Sequence, residues 1–348
     1  RVMEAVHWVR RFSEAKVVVL GDLVADEYLY GETERVSREA PVLIVRYESS
    51  ETKLGGAANV AANVASLSGR ARPVGVLGRD GSGRAMAEQF KAAGAESEGL
   101  LFLPNRCTET KTRILAGGRS TTRQQMLRVD RAPETPLTPA QHARLRRLVM
   151  NAARDAQAIV VSDYGSGLIN DALVGDLRLL AQRMPVCVDS RYNIRAFKGV
   201  TVAKPNEPEL EAAVGGRLRG PEDVERAGRS LLASLDVKAL VVTRGHHGMS
   251  LFTPDAPTLH VPVWGPAEAV DVTGAGDTVL ATLSLALAVG ATFPEAAKLA
   301  NIAGGIVVQK PGTATCSRAE LLEAIGEGTP KRVTLPRPPK AARSAKRV

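Results

Sequence analysis

Short β-branched runs alternate with segments of helical periodicity along most of the chain. KVVVLGD (16–22) is the first run and ends in Gly-Asp, the pattern of a buried strand. GGAANVAANVASL (55–67) follows, with apolar residues at helical spacing behind a Gly-Gly start. RPVGVLG (72–78), AIVVSDYG (158–165), PVCVDSR (185–191) and KALVVTRG (238–245) repeat the strand signal. Helical segments flank them, such as the Ala-rich stretch 82–93. This rhythm predicts an α/β fold, with a mostly parallel sheet covered by helices on both faces. Two stretches break it. YLYGETERVSREAPVLIVRYE (28–48) and CTETKTRILAGGRSTTRQQMLRVD (107–130) are strand-like, polar and alternating. They predict hairpins outside the main sheet, forming a small lid over a site, a dimer surface or plain surface hairpins.

Composition changes this picture in two places. The formal charge is +9, but residues 331–348 hold seven cationic residues and no acid, which leaves +2 for residues 1–330. A Pro-rich, like-charged segment has little to bury, so the organisation expected is one domain over 1–330 and a disordered basic tail. Nucleic-acid binding is expected of that tail alone, if anywhere. Three widely spaced cysteines, with no CxxC or Cys/His cluster, point away from zinc and disulfides and toward a reducing cytoplasm. No signal-like segment opens the chain, and the longest apolar stretch, around Val279–Val289, is too short to span a bilayer.

Ligands of open parallel sheets bind at the carboxyl ends of strands. Asp22, Asp163, Asp189, Asn206 and Arg244 fall there. No GxxxxGK[ST] occurs and no GxGxxG follows the first strand, which excludes a Walker loop and argues against a Rossmann dinucleotide site. The phosphate candidate is DVTGAGDT (271–278). Gly274 and Gly276 permit close backbone approach, and a helix starting near Gly276 presents unpaired N–H donors to an anion. Asp277, in the first turn, could accept a proton from an acceptor hydroxyl. A capped helix behind a glycine turn is the plainer alternative.

DVTGAGDT closely resembles the C-terminal signature of the ribokinase-like sugar kinases, the B-type phosphofructokinase family. GGAANVAANVASL, KPNEPEL and VTRGHHG resemble further elements of that family, in the same order, so the resemblance spans residues 16–326. It implies a three-layer αβα fold with a β lid, and ATP-dependent phosphorylation of a sugar hydroxyl. It implies an anion hole from Gly274, Ala275 and Gly276 with Asp277 as base, and sugar contacts from Gly55, Gly56 and Asn59. Asn206 and Glu209 are implied for Mg²⁺ and phosphate placement, commonly through water. Thr243, Gly245 and Gly248, with Gly312 on a later loop, are implied for the nucleotide. A monovalent cation is a further cofactor of some members. Asp271 is expected to shape the loop, and His246 and His247 to be exposed turn residues.

The front of the chain narrows the resemblance. GDLVADEYLYGETERVSREAPVLIV (21–45) is similar to the subgroup that phosphorylates D-glycero-β-D-manno-heptose 7-phosphate in lipopolysaccharide synthesis, with Asp22, Asp26, Arg35, Ser37, Glu39 and Pro41 matching. Its product would be the 1,7-bisphosphate. Carboxylates such as Asp22, Asp26 and Asp163 suit sugar hydroxyls. Lys111, Arg113, Arg123, Arg128 and Arg191 are the candidate cations for the acceptor's phosphate. Two departures stand out. No nucleotidyl-transferring motif follows the kinase segment, and Asp189-Ser190-Arg191 replaces the Asp-Pro-Lys of many relatives. A kinase for ribose, fructose or another sugar phosphate is the alternative, and a non-catalytic nucleotide or sugar sensor is another. The lid strands and the resemblance together predict a homodimer.

Overall fold

The structure, a computed structural model, describes residues 2–118, 123–266 and 268–327. The basic tail expected at 331–348 and residues 119–122 lie outside the described residues.

The strands in chain order are β1 Lys16–Gly21, β2 Leu23–Val36, β3 Leu43–Gly56, β4 Arg70–Gly78, β5 Leu100–Leu103, β6 Glu109–Gly117 and β7 Gln124–Arg131. They continue with β8 Ala158–Asp163, β9 Val186–Ser190, β10 Val202–Ala203, β11 Ala239–Thr243, β12 Met249–Thr253 and β13 Ala256–Val261. Nine of them form one sheet in the order β13-β12-β11-β10-β9-β8-β1-β4-β5. All neighbours pair in parallel except at one edge, where β12 and β13 fold back antiparallel as hairpin strands.

Alternation along β1 shows why both faces need cover. Val17 and Val19 enter one core, while Val18 and Leu20 enter the other, all fully enclosed. The first core is capped by α1 Val2–Arg11, α2 Ala57–Ser66 and α3 Gly81–Ala92. The second is capped by α4 Pro139–Ala152, α5 Asp171–Leu180, α6 Glu207–Val214 and α7 Pro221–Leu235. α8 Ala275–Ala288, α9 Phe293–Val307 and α10 Arg318–Glu327 complete the first layer. α8 is apolar around most of its circumference, as a helix enclosed on all sides must be. It lies against α2 and α9, so the turn at its start is held from two directions. The expected three-layer α/β fold is the one found.

The remaining strands form the second sheet, β3-β2-β6-β7. Its strands are longer than the alternation at 28–48 indicated, because β2 and β3 run on into the body. Leu23 pairs with Gly56 and Val24 with Gly55, so the Gly-Gly ends β3 and, with Gly56 as its N-cap, opens the expected helix α2. The outer strand β7 is exposed along its whole length.

Candidate active site

Five consecutive strands of the large sheet deliver the polar residues expected at strand ends. Asp22 follows β1, Asp163 ends β8, Asp189 lies in β9, Asn206 follows β10 and Arg244 follows β11, where its Nε donates to Glu207 Oε1 at 2.6 Å. A cavity of about 620 Å³ opens over this edge. Its lining brings together Asp163, Asp189, Arg191, Asn206, Glu209, Thr243, Gly274, Gly276 and Asp277. A second cavity of about 440 Å³ adjoins it, lined by Gly245, Gly248, Met249, Val279, Gly304 and Gly305. Thr243 and Gly276 line both, so the cavities meet at the start of α8.

Local geometry explains the sequence of that junction. Gly274 caps α8 at φ +78, and a Cβ there would lie 2.6 Å from Asn59 Nδ2. Only glycine fits both the left-handed backbone and that approach. The N–H groups of Gly276 and Asp277 have no acceptor among the described residues, as the first turn of a helix requires. Together with the helix dipole they make a place for an anion.

Asp277 is buried beside them. Asn59 Nδ2 donates to its Oδ2 at 2.8 Å, while Oδ1 has no hydrogen-bond partner among the described residues. Asn59 is in turn held by Asn63, whose Oδ1 accepts from the Thr278 hydroxyl and the Cys316 N–H. Burial raises the Asp277 pKa to about 7; the Asn59 hydrogen bond opposes the rise, and nearby Asp189 adds to it. A carboxylate poised near neutrality is suited to general-base work.

On the lid side, Asp26 is buried and pairs with Arg113 Nη1 at 2.6 Å. A Cβ on Gly55 would lie 2.4 Å from Asp26 Oδ2, and one on Gly56 would lie 2.5 Å from the Asp22 carbonyl. The Gly-Gly pair thus lets β3 pass close to both acids. Asp22 accepts from the Tyr164 N–H at 2.7 Å and from the Ser166 hydroxyl. Burial nonetheless raises its pKa. Asp163 accepts from Ser190 Oγ at 2.6 Å, a bond that proline at 190 could not make. Arg191 lines the larger cavity with its guanidinium over Tyr192.

Other expected residues lie elsewhere. Arg128 is exposed and bound bidentately to Asp130, and Arg123 is exposed and paired with Glu48. Neither lines a described cavity. Lys111 instead lies over the ring of Tyr164, 4.8 Å from its centre. Gly312 is not at the smaller cavity. Its N–H donates to Asp271 Oδ2 at 2.9 Å, and a Cβ on it would face Lys53 and Tyr28. Asp271 also accepts from the Thr273 N–H, so it does shape the loop. His246 and His247 are exposed, although His246 edges the smaller cavity.

Asn206 and Glu209 form a capping box at the start of α6, each accepting the other's N–H at 2.8 and 2.9 Å. The N-x-x-E spacing therefore has a local structural use as well. No group of three or more His, Cys, Asp or Glu among the described residues could hold a metal. The oxygen donors here fit a Mg²⁺ that arrives with nucleotide phosphates and keeps most of its waters.

Two residues at the centre were not singled out by sequence reasoning. Tyr164 lines the larger cavity, and the charge of Asp277, then burial and Asp189, raise its pKa well above the usual phenol range. Lys204 lies almost wholly enclosed against Asp189. Tyr164 follows directly on a strand-end acid, a position that could have flagged it. The burial of Lys204 has no signature in the letters VAKPN.

Residues 14–320 match the pfkB family carbohydrate kinase profile. The bifunctional protein HldE of Geobacter metallireducens is 39% identical over 316 residues, covering 90% of this chain and 63% of the relative. HldE of Geobacter sulfurreducens is 41% identical over 315 residues, covering 89% and 62%. The chain thus spans less than two thirds of these relatives. Among solved structures, Arabidopsis thaliana ribokinase complexed with ribose and ATP superposes with a TM-score of 0.71 at 22% identity, over 89% of this chain and 98% of that one. The fold is therefore ribokinase-like. The chain belongs to the pfkB family of carbohydrate kinases and is an ATP-dependent sugar kinase.

Proposed function

We propose that this kinase transfers the γ-phosphoryl group of ATP to the anomeric hydroxyl of D-glycero-β-D-manno-heptose 7-phosphate, giving the 1,7-bisphosphate. The observation that carries the transfer chemistry is Asp277, a buried carboxylate with a pKa of about 7 beside unpaired helix N–H groups. In this reading Asp277 takes the proton of the acceptor hydroxyl, and the Gly274–Ala275–Gly276 turn stabilises charge on the transferring group. The smaller cavity takes the nucleotide, with Thr243, Gly245 and Gly248 along its floor. Asn206 and Glu209 face Mg²⁺ through water, which supplies charge neutralisation when bound. The Asp271–Gly312 linkage ties the loops expected to flank a monovalent cation.

The heptose assignment draws support from the GDLVADEYLYG opening and from the HldE relatives. Asp22, Asp26, Gly55, Gly56, Asn59 and Asp163 surround the acceptor, and Lys111 and Arg191 supply cations for its phosphate. Arg113 serves Asp26, and Arg128 falls away as a contact. The small sheet also presents Val36, Leu43, Tyr47, Leu127 and Val129 to solvent, and this apolar surface supports a homodimer through the lid. No described helix is long and apolar enough to cross a membrane, and the three cysteines are free; we place the enzyme in the cytoplasm.

An ADP-release screen with heptose 7-phosphate, hexose phosphates, ribose and fructose tests the assignment. The expected result is a kcat/KM for heptose 7-phosphate at least about 100-fold above the others, since a site built for polar groups rejects substrates that leave them unpaired. Equal or better turnover of another sugar would replace it.

A further inference from the structure

Lys204 follows β10, and at 2% exposure it is almost wholly enclosed. Lysine is seldom buried this far without a partner. Its partner is Asp189 on the neighbouring strand β9, with Nζ 2.7 Å from Oδ2. The Asp189 carboxylate, within salt-bridge distance, compensates the burial of the ammonium. The pair therefore keeps a permanent cation inside the protein.

Its position gives that cation a chemical use. A Cβ on Gly276 would lie 3.7 Å from Lys204 Nζ and 4.0 Å from Asp189 Oδ2. The ammonium thus stands against the same turn whose N–H groups lack acceptors, and it lines the larger cavity beside Asp277. A strut between two strands does not require ions, because apolar residues of similar volume fill such places at least as well.

We propose that Lys204 is a catalytic residue, whose ammonium, oriented by Asp189, contacts the transferring phosphoryl group at the Gly274–Asp277 turn. This rests on the reading of that turn as the transfer centre. In the step, the acceptor oxygen bonds to the γ-phosphorus while its proton passes to Asp277. The bond from the γ-phosphorus to the β,γ-bridging oxygen breaks, and its electron pair leaves with ADP. Lys204 keeps its proton throughout and offsets the negative charge on the phosphoryl oxygens.

Two variants separate this role from simple neutralisation of Asp189. Lys204→Met leaves the half-buried Asp189 carboxylate without its cation, whereas Lys204→Met combined with Asp189→Asn removes both charges. Calorimetry would give affinities for ADP and for a non-hydrolysable ATP analogue, alongside melting temperature and kcat with the sugar that the wild type accepts. Both variants are expected to lose about tenfold or more in affinity for the analogue while ADP affinity stays within about twofold. The kcat should fall about 10²–10³-fold in both, and the double variant should recover melting temperature without recovering turnover. Recovered turnover and discrimination in the double variant, or equal losses for the two nucleotides, would overturn the proposal. The nucleotide comparison involves no sugar, so it holds if the heptose assignment fails. A wild-type chain that binds neither nucleotide would refute the transfer-centre reading itself.

Discussion

The smaller cavity is walled by glycines and apolar side chains, whereas the wall beneath the four-stranded sheet is shaped by charged side chains locked to one another. Around the first, Gly245, Gly248, Gly304 and Gly305 leave the main chain bare. A Cβ on Gly248 would meet the Val261 carbonyl at 2.1 Å, and one on Gly305 the Trp264 carbonyl at 2.3 Å. Around the second, Arg113 holds Asp26, Thr313 hydrogen-bonds Tyr28, and Lys53 and Arg113 both lie over the Tyr28 ring. A site of glycines and apolar side chains is indifferent to single charges. A wall of paired charges depends on every partner being present. Asp277 stands between them and should be the most sensitive point of all.

Asp277→Asn therefore heads the expected effects. Loss of the base should lower kcat by about 10²–10⁴-fold, while ADP affinity, which the proposed reading assigns to the smaller cavity, changes little. Steady-state ADP release and calorimetry check the two halves, and undiminished turnover would remove Asp277 from the role. The pH profile sharpens the point. The base works deprotonated, so kcat/KM should rise with pH through an acid limb near 7. The Asn59 hydrogen bond lowers the Asp277 pKa, so Asn59→Ala should move that limb to higher pH. A limb that stayed fixed or moved down would separate Asn59 from the base.

The lid side should break next. Arg113→Met leaves Asp26 buried without its cation, which is expected to destabilise the fold by about 3–5 kcal/mol. Denaturant titration measures the loss. Adding Asp26→Asn should restore much of that stability but leave the KM for the sugar raised, because the lid wall has lost its acid. A single variant as stable as the wild type would show that the pair is not the brace described here.

How far these differences were legible follows from the same contrast. DVTGAGDT could be read directly, because left-handed backbone and close approach demand glycine and so appear as letters. The strand ends were equally open to pattern reasoning, since Asp22, Asp163, Asp189 and Asn206 each follow a β-branched run. Side-chain pairing was not. Arg113, Arg123 and Arg128 look alike in sequence, yet register and exposure give Arg113 to buried Asp26 and the other two to surface acids. N-x-x-E, read for Mg²⁺ placement, forms a capping box in the structure. Gly55-Gly56 was legible as the start of α2, whereas nothing local reveals that β3 continues into the body up to it.

The two glycines of the central turn are not equivalent, and Ala substitution should separate them. Gly274 lies at φ +78 with Asn59 against it, so Gly274→Ala is strained and should destabilise the fold by about 1–2 kcal/mol. Gly276 is not in that backbone region, and a Cβ there would meet only Lys204 Nζ at 3.7 Å and Asp189 Oδ2 at 4.0 Å. These are ordinary contacts, so Gly276→Ala should change stability by no more than about 0.5 kcal/mol.

The smallest expected effect is the control for the lid. Arg128→Ala breaks an exposed pair with Asp130, the two side chains 49% and 44% accessible. Such pairs contribute about 0–1 kcal/mol, and the residue lines neither cavity. Stability and the KM for the sugar should both stay near wild type, measured beside Arg113→Met in the same assays. Two arginines on adjacent, paired strands would then differ by several kcal/mol solely because one faces a buried acid. A large rise in KM on losing Arg128 would instead bring β7 into the acceptor site and remove the distinction between a braced inner wall and a solvated outer strand.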